Sequence, residues 1–303
     1  MTRPSSVSVV IPARDPGRFL HHAVDSVVAQ THDDWDLVVV DDGSTEDLAW
    51  VAEVDPRVRL VRTPAIGVSH ARNLGIAETG AALVAFLDAD DRWHPRKLER
   101  QLAAMADGTP FCHTAFDLID EGGERIGPGY GERVDYLDML GGRLGILQSS
   151  MVVRRDALLA AGLYNPMLSL QEDLDLFLRL AYAARGVFVD SVEVDYRQHP
   201  ASASSSYWDA MWALLHLYDE HEASARRNGD AAALAAVRTG RRAVRFTYGC
   251  KAIDAARTSL HARDWTTGSL ALAHAVRASP RAVARSGKTW VRTRLDAGEP
   301  QQR

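Results

Sequence analysis

Residues 83–91, Leu-Val-Ala-Phe-Leu-Asp-Ala-Asp-Asp, constrain the fold more than any other stretch. Five apolar residues without a polar interruption read as a strand buried on both faces of a parallel sheet. The run then stops at three carboxylates, Asp88, Asp90 and Asp91. In an open α/β sheet that end of a strand faces the ligand crevice. Acids crowded there repel one another, and a hard divalent cation carrying phosphate oxygens would relieve the repulsion. The competing reading is an acidic, solvated turn, because charge runs usually face water.

The sequence around this stretch repeats one alternation. Residues 7–11 form a first strand expected to stop at Pro12, and 18–30 carry Phe19, Leu20, Ala23, Val24, Val27 and Val28 at helical spacing. A second strand at 37–40 also ends in acids, Asp41 and Asp42, before Gly43 and the capping residues Ser44 and Thr45. A third strand is expected at 58–61, a helix at 70–78, the 83–87 strand, and a helix at 95–105. Strand and helix alternating at this spacing predict a doubly wound, mostly parallel α/β sheet.

Past Phe111 the pattern changes. Strands are expected at 111–119, near Arg125, at 146–153 and at 187–196, with a mobile glycine-rich loop at 141–145 and a short helix at 156–161. Ser169-Leu-Gln-Glu172 has capping-box spacing ahead of an apolar helix reaching 184. From Ser206 the chain reads as helix only, which predicts a core at 1–205 and a helical extension at 206–303. There Met211, Trp212, Leu215 and Tyr218 fall on one helical face expected to pack inward.

Charge divides the same way. Residues 221–303 hold 16 Lys/Arg and 6 Asp/Glu, whereas the preceding 220 hold 19 and 34. A basic tail on an acidic body suggests an anionic partner. The tail lacks the interleaved aromatics of a nucleic-acid platform, so lipid headgroups are preferred to nucleic acid. Residues 281–295 mix Arg281, Arg285, Lys288, Arg292 and Arg294 with Val283, Trp290, Val291 and Leu295. A helix of that kind can rest on an anionic membrane; completing a homodimer or covering the functional site is the equal competitor. The two cysteines, Cys112 and Cys250, give neither a disulfide framework nor a metal spacing, which suits a reducing compartment. With no apolar leader and no membrane-spanning run, the expected location is cytoplasmic, with peripheral contact at the inner membrane face as an extension.

Three stretches in this order resemble the family 2 glycosyltransferases. They are Val-Ser-Val-Val-Ile-Pro12 with Val-Val-Val-Asp-Asp42-Gly-Ser-Thr, then Gly67-Val-Ser-His-Ala-Arg72-Asn-Leu-Gly-Ile with Phe-Leu-Asp88-Ala-Asp90-Asp91, then Gln-Glu172-Asp173-Leu-Asp-Leu-Phe-Leu-Arg-Leu. The resemblance covers about residues 5–200 and implies a glycosyltransferase A-type fold and inverting transfer from a nucleotide-diphosphate sugar, with UDP ahead of GDP and dTDP. It implies an acceptor hydroxyl on a glycan or lipid-linked glycan, and Mn²⁺ or Mg²⁺ as cofactor.

The implied roles fall on particular residues. Pro12, Arg14, Asp42, Arg72, Asp88 and Asp90 face the nucleotide. Asp90, supported by Asp88 and with His199, holds the metal. Asp173 is the general base that an acceptor hydroxyl, a poor nucleophile, requires. Glu172, Asp91 and Ser149 border the acceptor or support the site. Plainer alternatives stand beside these roles. Asp42 can make an Asx turn before Gly43, and Arg72 with Asn73 can close the loop onto Asp88. Asp91 can cap the helix ahead of Pro95, Glu172 can belong to the capping box, and Asp173 can be a first-turn acid favoured by the helix dipole. A loop histidine such as His199 can simply be solvated. The chain departs from the family pattern after Pro12, where Arg14 and Asp15 replace the frequent aromatic residue and asparagine; a guanidinium plane can still stack on a base.

Other classes fit less well. A non-catalytic nucleotide- or carbohydrate-binding protein of the same fold would not need both Asp173 and the Asp-x-Asp element. A receiver-type domain is shorter and has no second acidic site. A sugar-phosphate nucleotidyltransferase needs a glycine-rich basic loop where this chain has Pro12-Ala-Arg-Asp.

Overall fold

Residues 6–105, 108–199 and 207–284 are described by the computed structural model. The chain divides into two units, Met1–Met139 with Leu144–Ser202, and Leu140–Arg143 with Ala203–Arg303.

The first unit is built on β1 (Val7–Ala13), β2 (Trp35–Asp42), β3 (Val58–Thr63), β4 (Leu83–Phe86), β5 (Arg92–Trp93), β6 (Phe111–Ile119), β7 (Arg125–Tyr130), β8 (Val152–Arg154) and β9 (Val187–Arg197). They form one mixed sheet in the order β3-β2-β1-β4-β8-β6-β9-β5, with β7 added on β6. The longer ladders, β1 with β2, β2 with β3, and β6 with β9, are parallel, as is β1 with β4. The short β8 runs antiparallel to β4 and β6. Its helices are α1 (Phe19–Val28), α2 (Val68–Ala77), α3 (Lys97–Ala104), α4 (Tyr136–Leu140), α5 (Arg155–Ala161) and α6 (Glu172–Ala183). The front half thus alternates strand and helix as the apolar periodicity requires. Val7, Val9, Ile11, Leu37 and Val39 are fully buried with Leu20, Val24 and Val27 of α1 in one core. Cys112 is buried in β6 as plain core.

Three expectations are corrected. Pro12 does not stop β1, which continues to Ala13 in register with Asp41. Val10 turns its carbonyl to β4, accepting from Leu87 N at 3.1 Å, and Pro12, two residues on, faces the same side beyond the last β1–β4 pair. No N–H is needed there, so proline is tolerated. Residues 146–153 are not one strand: Gln148–Ser150 make a 3₁₀ turn before β8. Ser150 Oγ donates to the Leu147 carbonyl at 2.7 Å, and such local bonding competes with a ladder. The capping box from Ser169 does not form, because α6 begins at Glu172 after a left-handed Gln171 with φ 63°. In addition, β5 pairs Arg92 and Trp93 with Asp195 and Val194, a strand without a signal in the apolar pattern.

The helical unit consists of α7 (Tyr207–Asn228), α8 (Ala231–His261) and α9 (Trp265–Ala278). Asp230 and Asp264 cap α8 and α9, accepting from Ala233 N at 2.9 Å and Thr267 N at 3.0 Å. Met211, Leu215 and Tyr218 are buried as the spacing predicts, but Trp212 is 42% exposed, with Arg277 over its ring. Trp208 stacks on His274 with centroids 3.8 Å apart. The basic segment 281–295 lies mostly outside the described residues. Among those described, no helix is long and apolar enough to cross a membrane.

Candidate active site

The three acids beyond β4 are sorted by their neighbours. Asp91 is fully buried: Ser149 Oγ donates to Oδ2 at 2.5 Å, and the Arg197 backbone N–H to Oδ1 at 3.0 Å. Burial, then the Asp90 and Asp88 carboxylates, raise its pKa well above the ordinary range. With both oxygens engaged inside, Asp91 does not cap α3 and holds the acidic turn from within. Ser149, also fully buried, accepts from Asp88 N at 3.0 Å. It holds the acidic turn from the inside.

Asp90 stays partly open. Its Oδ2 lies 2.9 Å from His199 Nε2, and its carbonyl accepts from Arg197 Nε at 2.8 Å. Burial, followed by the nearby Asp88 carboxylate, raises its pKa, which marks a place where extra positive charge is favoured. Arg197 is itself buried; it also donates to the Asp120 and Glu121 carbonyls and lies over Phe19. Its role of fixing Asp90, Asp91 and the turn after β6 had no signal beyond its place at a strand end.

Arg72 joins the two halves of the site. The α2 helix starts at Gly67, whose φ of 93° suits glycine, and carries Arg72 into the interior at 4% exposure. Its Nη2 donates to Asp88 Oδ1 and its Nη1 to Glu172 Oε1, each at 2.7 Å. The guanidinium lies over Tyr164, and among the described residues Arg72 Nε and Tyr164 Oη have no hydrogen-bond partner. Asn73 beside it brackets the Tyr164 backbone, donating to its carbonyl at 2.9 Å and accepting from its N–H at 3.0 Å. The plainer alternative, closure onto Asp88, is therefore present. Its reach to Glu172 across 100 residues was not legible in the sequence.

Asp173 follows Glu172 in the first turn of α6. Its Oδ1 accepts from Leu174 N at 2.7 Å, and its carboxyl is pushed up to about 6, by burial first and then by Glu172, with Arg72 pulling the other way. Asp173 and Gln171 share a cavity of 130 Å³ with Met139, Leu144, Ile146, Leu174 and Phe177. Glu172 is engaged with Arg72 and caps nothing.

The remaining residues expected on the nucleotide side sit at the ends of β1 and β2. Both Asp42 oxygens accept from the loop ahead of α2, from Ile66 N at 2.6 Å and Gly67 N at 2.9 Å. The Asx turn belongs to Asp41, whose Oδ1 takes Ser44 N at 2.8 Å. Ser44 and Thr45 cap no helix. Asp15 N donates to Ser44 Oγ at 3.0 Å, and Asp15 Oδ1 accepts from Thr45 N at 2.7 Å, which ties the loop after β1 to the loop after β2. Arg14 is exposed at the end of β1 beside Pro12.

Among the described residues no three His, Cys, Asp or Glu side chains converge as a ready metal site. Asp90 and His199 nevertheless converge as two donors beside a second carboxylate, Asp88. That set fits a divalent ion whose remaining positions come from a diphosphate and water, as Mg²⁺ commonly binds.

The family model described as Glycosyl transferase family 2 matches residues 8–159, and the chain belongs to that family. The match ends before Asp173 and His199. TuaG of Bacillus subtilis strain 168, a glycosyltransferase assigned to teichuronic acid biosynthesis, is 28% identical over 71% of this chain and 88% of its own. WfgD of Escherichia coli, a UDP-Glc:α-D-GlcNAc-diphosphoundecaprenol β-1,3-glucosyltransferase, is 31% identical over 38% of this chain and 47% of its own. Other relatives are far longer: the chain spans 19 to 21% of the uncharacterised glycosyltransferases it matches in three Rickettsia species. In fold, the chain is similar to Staphylococcus aureus TarS 1–349 crystallised with UDP-GlcNAc, with TM-score 0.58, 15% identity, and coverage of 88% of this chain and 90% of that one.

Proposed function

We propose that this chain is an inverting glycosyltransferase that moves a sugar from a nucleotide diphosphate, UDP first, to a hydroxyl of a glycan or lipid-linked glycan. The carrying observation is the Arg72 bridge. One buried guanidinium draws together Asp88, at the end of β4, and Glu172, beside Asp173, so acids from two distant motifs share a single cluster. The family and the names of WfgD and of the TarS complex support the donor and acceptor classes.

In this reading the acceptor O–H is held in the cavity beside Asp173. As the oxygen attacks the anomeric carbon, Asp173 takes its proton, the C1–O bond to the diphosphate breaks, and the electron pair leaves with the phosphate. A carboxyl held near 6 is ionised at neutral pH yet more basic than an ordinary aspartate, which suits a general base. Asp90 and His199 would hold Mn²⁺ or Mg²⁺, with Asp88 tied back by Arg72; the ion supplies Lewis-acid stabilisation of the departing diphosphate. Arg197 and Ser149 keep the acidic turn in place around them.

The test is turnover of a UDP-sugar panel, with and without acceptor glycosides, by the wild type, Asp173→Asn and Asp90→Asn. Wild-type transfer lost in Asp173→Asn supports the reading. UDP-sugar binding with no turnover by the wild type would favour the non-catalytic binding protein instead.

A further inference from the structure

We propose that Gln171 is an acceptor-recognition residue, and that the cavity it shares with Asp173 takes one pyranose unit presenting a vicinal pair of hydroxyls. The inference rests on the glycosyltransferase reading and names the substrate chemistry of its acceptor side.

Three observations meet at this residue. Gln171 holds φ 63° and ψ 20°, a left-handed conformation that a residue with a Cβ rarely adopts and that the failed capping box does not explain. Strain of that kind persists where the surrounding structure fixes it, and it gathers at functional sites. Its backbone carbonyl closes the first turn of α6 by accepting from Asp175 N at 3.0 Å, whereas its side-chain amide makes no hydrogen bond to any described residue. And the cavity wall is otherwise apolar apart from Asp173: Ile146, Leu174 and Phe177 are among its neighbours.

The chemistry follows from that inventory. A carboxylate only accepts, whereas an amide both donates and accepts. Two such groups, two residues apart at a helix start, fit two adjacent hydroxyls, one delivered to Asp173 and the other held by Gln171. The apolar walls suit the C–H face of a pyranose ring. At 130 Å³ the cavity lies below the roughly 300 Å³ of a drug-sized site, so it admits at most one sugar unit, by the edge that carries the two hydroxyls, and leaves the rest of a glycan outside.

The test measures binding of methyl β-glucoside and methyl N-acetyl-β-glucosaminide to the full chain by saturation-transfer NMR. Binding of UDP is measured on the same samples, for wild type, Gln171→Gly and Gln171→Asn. Glycine accepts the left-handed backbone and removes the amide; asparagine tolerates that backbone and retains an amide. The expected result is pyranoside binding by wild type, weakened about tenfold in Gln171→Gly and partly kept in Gln171→Asn, with UDP binding equal in all three. Equal pyranoside binding by wild type and Gln171→Gly would show a purely conformational role and overturn the proposal, as would no pyranoside binding at all. Loss of UDP binding in the wild type would instead count against the glycosyltransferase reading, which separates the two failures.

Discussion

At the scale of single residues the site is a problem of buried charge. Asp173 holds its proton more tightly in the folded chain than an unfolded aspartate does, about 6 against 3.8. Its contribution to stability is therefore present at low pH and lost as pH rises from about 4 through about 6. Asp173→Asn, neutral at every pH, is expected to stabilise the chain by about 1–3 kcal/mol at pH 7–8, with the difference closing toward pH 4. Denaturant melts across that range check it. In the same variant transfer should fall by about 10²–10⁴, and the wild-type rate should rise with pH through about 6, read from a pH–rate profile. Arg72→Met acts in the opposite sense. It strands Asp88 and Glu172 without their cation, and a loss of about 3–5 kcal/mol is expected in equilibrium unfolding.

At the scale of elements, the position of Arg72 depends on how closely α2 approaches β1. Gly75, three residues on, leaves no room for a side chain: a Cβ there would stand 2.4 Å from Val10 Cγ1. Gly75→Ala is expected to push the helix off the sheet at a cost of about 1–3 kcal/mol. Because α2 also carries the Asp88 contact, UDP-sugar affinity should fall with stability. Calorimetric binding and thermal melts on one preparation check both. The β4 end works differently. Ser149 reaches it from the turn before β8 and Arg197 from the end of β9, so two segments remote in sequence hold one acidic loop. This explains why Asp91 is internal although the sequence presents it as one of three equivalent acids.

At the scale of the whole molecule, the division of the chain is not a single cut. Leu140–Arg143 belong with the helical unit, where Leu140 is fully buried and a Cβ on Gly240 would meet its carbonyl oxygen at 2.0 Å. Ending the chain at residue 205 removes the surroundings of Leu140. The shortened chain is expected to unfold at lower denaturant concentration than the full one, measured side by side by circular dichroism. Chelation tests the acidic end of the sheet: removing divalent ions should weaken binding of UDP, and Asp90→Asn should make binding indifferent to the chelator. Titration calorimetry reads both.

The sequence alone determined the alternation of strand and helix, the buried core strands and the chemical character of the site. Apolar periodicity and turn residues act over a few residues, so they survive in one dimension. Asp88, Asp90 and Asp173 were legible for the same reason, as acids where a strand stops or a helix begins. Only the tertiary structure decided which of those acids are used up internally. Asp91 and Ser149 face inward, Glu172 turns to Arg72 in place of a cap, and Gln171 takes a left-handed backbone beside Asp173. Each outcome depends on a partner some 60 to 110 residues away or on a neighbouring wall of the cavity. The direction of a carboxylate is set by whichever donor the folded chain brings to it, and local spacing carries no record of that donor.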